Sequence, residues 1–237
     1  MRGTVAYSKI GWWNSEHLIT PMNPYIDEIV RILKDQNAKF AASAITKVAG
    51  ERDPFLVLIS CLLSLRTKDE VTSAASNRLF SLAKTPEEML RLSASDIENA
   101  IYPVGFYRRK AVQILEISKE LIEQYHSNVP DEIDDLLKFK GVGRKTANIV
   151  ITHGFNKPGI AVDTHVHRIS NRLGLVVTNT PDQTEFELRR ILPEKYWRDF
   201  NDLLVVHGQN ICTPVSPKCS ICPISRYCQR AGVGRSR

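Results

Sequence analysis

The sequence predicts an all-α protein of about ten short helices, and three patterns carry that expectation. Proline follows a capping residue repeatedly, at Asn23-Pro24, Asp53-Pro54, Thr85-Pro86 and Thr180-Pro181. Each pair reads as a helix N-cap followed by the first helical residue, where proline's missing amide costs nothing. Apolar residues recur at helical spacing through Ala111 to Tyr125. No pair of alternating strands joined by a hairpin turn is visible.

In chain order, Asn23-Pro24 opens the first helix and Asp53-Pro54 the second. The second runs from Pro54 to Leu65 and is apolar almost throughout. Val57, Ile59 and Leu63 alone would suit a buried strand, but the length of the run favours a buried helix. Thr85 with Glu88 and Thr180 with Gln183 have the capping-box spacing, so helices start at 86 and 181. In the stretch 111–125, Val112, Leu115, Ile117, Leu121 and Ile122 form the apolar face. An amphipathic helix from about Asp131 runs into Gly141-Val142-Gly143, and a further helix follows the glycines. Asp163 precedes Val166, Ile169 and Leu173, so it reads as another N-cap.

Composition narrows the function classes. The 237 residues are 43% hydrophobic and 24% charged, which argues against disorder and low-complexity architecture. The longest apolar run, Phe55 to Leu63, is far short of the ~20 residues a membrane-spanning helix needs. The first residues, MRGTVAYSKIGWW, lack the apolar core of an export signal. A soluble, unexported, cytoplasmic protein is expected. The net charge of +6 and pI near 9.1 favour a polyanionic partner, though many small enzymes are as basic. Cations concentrate at Arg108-Arg109-Lys110, beside two aromatics, and between Lys138 and Lys145. A solvated helix end accounts for either cluster equally well.

Leu136 to Val150 reads LLKFKGVGRKTANIV. Two glycines two apart permit a sharp turn. The amides of that turn and of the next helix's first turn are expected to point outward unpaired, which binds an anion such as a backbone phosphate without reading bases. Gly141, Val142, Gly143 and Arg144, with Lys140 before them, are therefore candidate DNA contacts; the plain alternative is a helix corner with a glycine C-cap. Lys145 begins the next helix, and Asp163 follows eighteen residues later. A lysine amine attacks only when neutral, and desolvation with nearby cations (Arg144, Lys140) favours loss of its proton. Such an amine can attack a sugar C1′, expel the base and form a Schiff base, while the carboxylate stabilises the cationic transition state. On spacing alone the plainer reading, Lys145 as a phosphate clamp and Asp163 as a cap, is the favoured one.

Four of the five cysteines lie at the C-terminal end, as Cys212, Cys219, Cys222 and Cys228, giving C-x6-C-x2-C-x5-C. Clustered thiols in a chain with no export signal point to metal rather than disulfides. Zinc and an iron–sulfur cluster both suit four thiolates. One close pair flanked by single thiols tilts the pattern towards the cluster. Cys61 stands alone in an apolar run and reads as a small buried hydrophobe.

Three strings taken together resemble one family. GVGRKTA at 141–147, VDTH at 162–165 and the cysteine spacing are similar to the endonuclease III family of helix-hairpin-helix DNA glycosylases, over roughly Asn23 to Arg230. The resemblance implies a bifunctional DNA glycosylase and AP lyase. It implies removal of oxidised pyrimidines from duplex DNA, with Lys145 and Asp163 catalytic, and β-elimination after base release. It also implies a [4Fe-4S] cluster on the four cysteines and a monomer associated with chromosomal DNA. A Lys at 145 argues against the adenine-glycosylase relatives, which lack it. Two alternatives remain: a monofunctional T/G or U/G mismatch glycosylase of the same fold, and a non-catalytic DNA-binding protein.

The family architecture implies two helical domains. One is a six-helix domain at 47–155 with the helix-hairpin-helix at about 131–154. The other is a cluster domain built from 23–46 and 156–237, and residues 1–22 form an extension of unknown role. Three positions depart from the family pattern. Arg66, in Ser64-Leu65-Arg66-Thr67-Lys68-Asp69, stands where a gap-filling Gln is usual. Phe106, in Gly105-Phe106-Tyr107, replaces a Leu, and Lys140 replaces the Pro before the glycine turn. Phe106 can still wedge between bases, whereas Arg66 can donate to an orphaned base but not accept. These changes bear on opposite-base preference and lesion range.

Overall fold

A computed structural model describes residues 24–38 and 53–237. Every regular element among the described residues is helical. Helix α1 spans Ile26–Asn37, α2 Pro54–Ser64, α3 Asp69–Phe80, α4 Pro86–Leu90, α5 Ala94–Ile101 and α6 Tyr107–Tyr125. Helix α7 spans Ile133–Leu136, α8 Arg144–Ile149, α9 Thr164–Leu173, α10 Pro181–Ile191 and α11 Trp197–Asn210. A wider π-turn over Val150–Gly154 prolongs α8.

These helices enclose two apolar cores. The first is built on α2, whose residues Phe55 to Leu63 are all buried. Ala75, Leu79, Met89, Ile97, Ile101, Ile114, Ile117, Leu121, Phe139 and Ile149 pack around it. An all-apolar helix has no face to give to solvent, so it sits in the middle of its core. Gly154 in the π-turn lies against the start of α2, where an added Cβ would come within 2.9 Å of Pro54 Cα. The second core joins both ends of the chain: Ile29, Val30 and Leu33 of α1 meet Val166, Ile169, Leu173, Leu188, Phe200 and Leu204.

The caps explain most helix starts. Asp53 accepts from Phe55 N and Leu56 N at 2.8 and 3.1 Å. Thr85 and Thr180 accept from the amides three residues on. Their reach-back partners differ from expectation. Glu88 binds Lys84 N and Gln183 binds Asn179 N, one residue before each cap. The reciprocal capping box instead forms at Ser93 and Asp96. At the first helix Pro24 lies in a turn and α1 begins at Ile26; Asn23 lies outside the described residues.

Two helices differ from their expected shape. The buried face of α6 is Lys110, Ala111, Ile114, Ile117, Ser118 and Leu121, while Val112 is exposed. At its start the buried row lies one residue before the expected one: Ala111 and Ile114, not Val112 and Leu115, continue it back from Ile117 and Leu121. The helix expected from Asp131 regularises only over Ile133–Leu136; from Lys138 the chain turns towards the glycines.

Candidate active site

Lys145 sits in the first turn of α8, directly after the glycine turn. Asp163 is the N-cap of α9 and its Oδ1 accepts from His165 N and Val166 N at 2.8 and 2.9 Å. Its other oxygen, Oδ2, faces the Lys145 Nζ at 3.8 Å. The carboxylate is thus fixed by the helix start on one side and turned to the amine on the other. Buried Cys61 lies beneath, its thiol pushed up to about 12 by burial and lowered slightly by the Lys145 charge.

The pair stands where two hollows meet. An open groove is lined by Arg66, Thr67, Gly143, Lys145, Asp163 and His165. A deeper pocket of about 610 Å³ shares Lys145, Asp163 and His165, and adds Ser64, Asp69, His153, Asn201, Asp202 and Gln209. Hydrogen-bonding groups of both kinds line it, as suits a polar heterocycle. Burial holds His153 and His165 below the ordinary imidazole value, with Asp202 and Asp163 respectively opposing the shift. Both shifts favour the uncharged ring. Arg168 Nη2 lies 3.2 Å from His165 Nδ1 and can only donate, which puts the ring's proton on Nε2.

Asn148 holds this geometry together. Buried in α8, it donates to Arg144 O at 3.0 Å and accepts from Ile160 N at 3.1 Å and Arg189 at 2.7 Å. Those bonds tie the Lys145 helix to the segment that leads to Asp163. Sequence reasoning missed Asn148, Asp69, His153, Asn201, Asp202 and Gln209. Only Asn148 leaves a trace in the sequence, as a polar residue on the apolar side of a helix.

The glycine turn is tighter than expected. Gly141 has a φ of 80°, the left-handed region where glycine is unstrained. Val142 is buried and its amide binds Phe139 O at 3.0 Å, so that amide is spent within the turn. Gly143 caps α8 without a side-chain acceptor, which leaves the first-turn amides open. Lys140 is exposed beside Glu116, at 3.4 Å. Arg144 does not face the groove as a free cation. Its guanidinium makes a two-pronged pair with buried Glu185, both bonds 2.8 Å, and lies over the Phe186 ring. Neither Arg144 nor Lys140 therefore supplies Lys145 with an uncompensated positive neighbour.

Arg66 lines the groove, and Phe106, the N-cap of α6, lies beside it. The Arg66 guanidinium lies 5.7 Å from the Phe106 ring centre, and Phe106 is 62% exposed.

A second centre lies at the C-terminal end. Cys212, Cys219, Cys222 and Cys228 line one small hollow with Arg172, His207 and Arg230, and none is in a disulfide. Arg172 Nη1 and the Arg230 amide point at Cys212 and Cys228 sulfurs, each at 3.4 Å. Burial pushes the Cys222 thiol up to about 11 and raises Cys228, and the neighbouring thiols add to both shifts. Such thiols part with their protons only to a bound cation. Among the described residues no three His, Cys, Asp or Glu side chains are grouped as a single metal ion requires. Four sulfurs around one hollow, with N–H groups aimed at two of them, are a donor set that suits an iron–sulfur cluster. Arg168 links this loop to the active site, donating to Cys212 O at 2.8 Å from the helix that Asp163 caps.

A helix-hairpin-helix set against a lysine–aspartate pair, with a four-thiol loop behind it, defines a class of base-excision repair protein. Residues 59–194 match the model of the HhH-GPD superfamily of base excision DNA repair proteins, and residues 212–228 match the iron–sulfur binding domain of endonuclease III. Endonuclease III of Thermotoga maritima is 50% identical over 190 residues, 79% of this chain and 89% of that protein. Endonuclease III homolog 1 of Arabidopsis thaliana, a chloroplastic protein, is 42% identical over 75% of this chain and 49% of its own length. A non-covalent endonuclease III–DNA complex and a trapped endonuclease III–DNA covalent intermediate each superpose with a TM-score of 0.74 at 33% identity, covering 86% of this chain and 95% of theirs. A thermostable thymine-DNA glycosylase gives 0.75 at 27% identity, over 86% of this chain and 94% of its own. The chain belongs to the endonuclease III family. It is a base-excision repair DNA glycosylase and AP lyase that carries a [4Fe-4S] cluster.

Proposed function

We propose that Lys145 is the nucleophile and Asp163 its partner in the removal of oxidised pyrimidines from duplex DNA. The observation that carries this reading is the 3.8 Å approach of the Lys145 amine to Asp163 Oδ2 at the mouth of a polar pocket. The damaged nucleotide swings out of the duplex, through the groove and into the pocket. There the amides and carboxylates of Asn201, Gln209, Asp69 and Asp202 meet its hydrogen-bonding edge. Asp163 accepts the amine's proton as Nζ bonds to C1′, and the bond from C1′ to the base breaks with its electrons on the base. The nitrogen lone pair then breaks the C1′–O4′ bond, Asp163 passes its proton to O4′, and the opened sugar is left as a Schiff base on Lys145. Loss of a C2′ proton then expels the 3′ phosphate, and water releases the product from the lysine.

DNA is the partner, gripped along its backbone by Lys140 and the amides of Gly141, Gly143 and the start of α8. Val142 serves by holding the turn, and Arg144 by bracing α8 against α10. Arg66 and Phe106 fill the gap in the duplex. Cys212, Cys219, Cys222 and Cys228 hold the cluster, which when bound supplies rigidity to the loop beside α9 and α11. The chain acts as a monomer on chromosomal DNA in the cytoplasm. Its domains divide at about 155, with 23–46 and 156–237 as the cluster domain and 47–155 as the six-helix domain; residues 1–23 and 39–52 fall outside the described residues.

Borohydride trapping on DNA with a single oxidised pyrimidine tests the reading. Wild-type protein gives a covalent adduct, Lys145→Ala gives none, and Asp163→Asn gives it at least about a hundredfold more slowly. Base release with no adduct would turn the reading to a monofunctional mismatch glycosylase; binding with neither would leave a DNA-binding protein.

A further inference from the structure

Lys110 is a buried cation with no part in the chemistry above. It lies in the first turn of α6, 5% exposed. Its Nζ donates to Leu63 O at 2.9 Å, Leu65 O at 2.6 Å and the Thr67 hydroxyl at 3.4 Å. The two carbonyls belong to the C-terminal end of α2, where carbonyls lack helical partners and the helix dipole favours a cation. Thr67 Oγ1 also accepts from Gly105 N at 3.1 Å and donates to Leu65 O at 3.2 Å. One ammonium and one hydroxyl thus join the turn at 64–67 to the turn that enters α6.

Both turns are held in an unfavourable backbone state at the residue that matters. Arg66 has a φ of 54° and Phe106 a φ of 58°, the left-handed region that residues with a Cβ adopt only at a cost. The turns touch backbone to backbone, since a Cβ on Gly105 would come within 2.6 Å of Arg66 O. Two strained turns in direct contact need something to hold them, and the bonds that do so converge on Lys110 and Thr67.

We propose that Lys110 is a positioning residue: its buried ammonium locks the Arg66 and Phe106 turns into one rigid unit, so that both side chains enter the gap in the duplex together. This rests on the reading of Arg66 and Phe106 as the gap-filling pair. Lys110 touches no DNA itself. It converts two flexible rim residues into a preorganised wedge, and so governs discrimination between damaged and intact DNA rather than overall grip. Burial pulls the Lys110 ammonium down to about 8, still above neutral pH, and its three oxygen partners are those a charged ammonium needs.

Fluorescence anisotropy with the holoprotein tests this, using two duplexes of equal length, one undamaged and one carrying a tetrahydrofuran abasic analogue. Lys110→Met is expected to hold the undamaged duplex within about twofold of wild type and to lose about tenfold of the preference for the abasic one. Lys110→Arg restores most of that preference. In the Arg66→Ala/Phe106→Ala background, Lys110→Met costs nothing further. An equal loss on both duplexes, an unchanged preference, or a further tenfold loss in that background would overturn the proposal. Should Lys110→Met not fold, Thr67→Val removes the shared hydroxyl and is read the same way. If Arg66→Ala/Phe106→Ala itself leaves the preference intact, the gap-filling reading falls, and the role of Lys110 with it.

Discussion

Glu185→Gln tests how the two cores are held together at the active site. Glu185 is 1% exposed and takes three charged bonds, two at 2.8 Å from Arg144 and one at 3.0 Å from Arg189. Glutamine keeps the shape but removes the charge, leaving two half-buried guanidinium groups without a counter-ion. Breaking a buried pair from one side costs about 3–5 kcal/mol. The amide oxygen still accepts one bond, so the lower end, about 3 kcal/mol, is expected. For a chain of this size that lowers the melting temperature by about 6–12 °C. Asp199→Asn is the control, because its pair with Lys34 is as short, 2.7 Å, but the side chains are 49% and 45% exposed. Exposed pairs contribute at most about 1 kcal/mol. Differential scanning fluorimetry of the holoprotein compares the two, and borohydride trapping below the melting range reports whether Lys145 has drifted from Asp163. If Glu185→Gln shifts the melting temperature no more than Asp199→Asn does, the pair is not a brace and the burial argument is wrong.

Other expectations follow from the same geometry. Lys140→Ala should weaken binding to every DNA sequence alike and flatten the slope of affinity against salt by about one unit; an effect confined to one lesion would exclude a phosphate contact. Burial lowers the affinity of His153 and His165 for protons in the folded state, so below the ordinary imidazole value of about 6.5 the unfolded chain takes up protons first. Stability should therefore be flat between pH 6.5 and about 8, where Lys110 starts to lose its proton, and decline as pH falls through 6.5, with His167 and His207, also held low by burial, adding to the loss; urea denaturation at a series of pH values checks this, with His153→Asn reducing the decline, and a rise on acidification would contradict the burial. Cys222→Ser should cost the brown colour and most of the iron, and lower the melting temperature through loss of the loop against α9 and α11; a full complement of iron in that variant would remove Cys222 from the ligand set.

How much was legible in the sequence varied with the range of the interaction. The starts of α2, α4, α9 and α10 could be read because a cap and its amides lie within three residues of each other. The four cysteines were legible because their spacing is itself the signal. Residues of the hairpin were legible as a string, but not what each does: Val142 spends its amide on Phe139, and Arg144 answers a carboxylate 41 residues away. The pocket residues His153, Asn201, Asp202 and Gln209 were not legible. They come from a π-turn and a distant helix, and nothing local marks them as facing one another.

The helical class, most helix starts, the thiol set and the lysine–aspartate pair proposed for the chemistry were all visible in the sequence alone, because propensity, capping and ligand spacing act over a few residues. Folding alone brings Lys145 to Asp163 across eighteen residues, ties Arg144 to Glu185, and buries the Lys110 ammonium under the 64–67 turn. Those outcomes depend on which helix packs on which, and so on burial and on the pairing of charges that folding brings together.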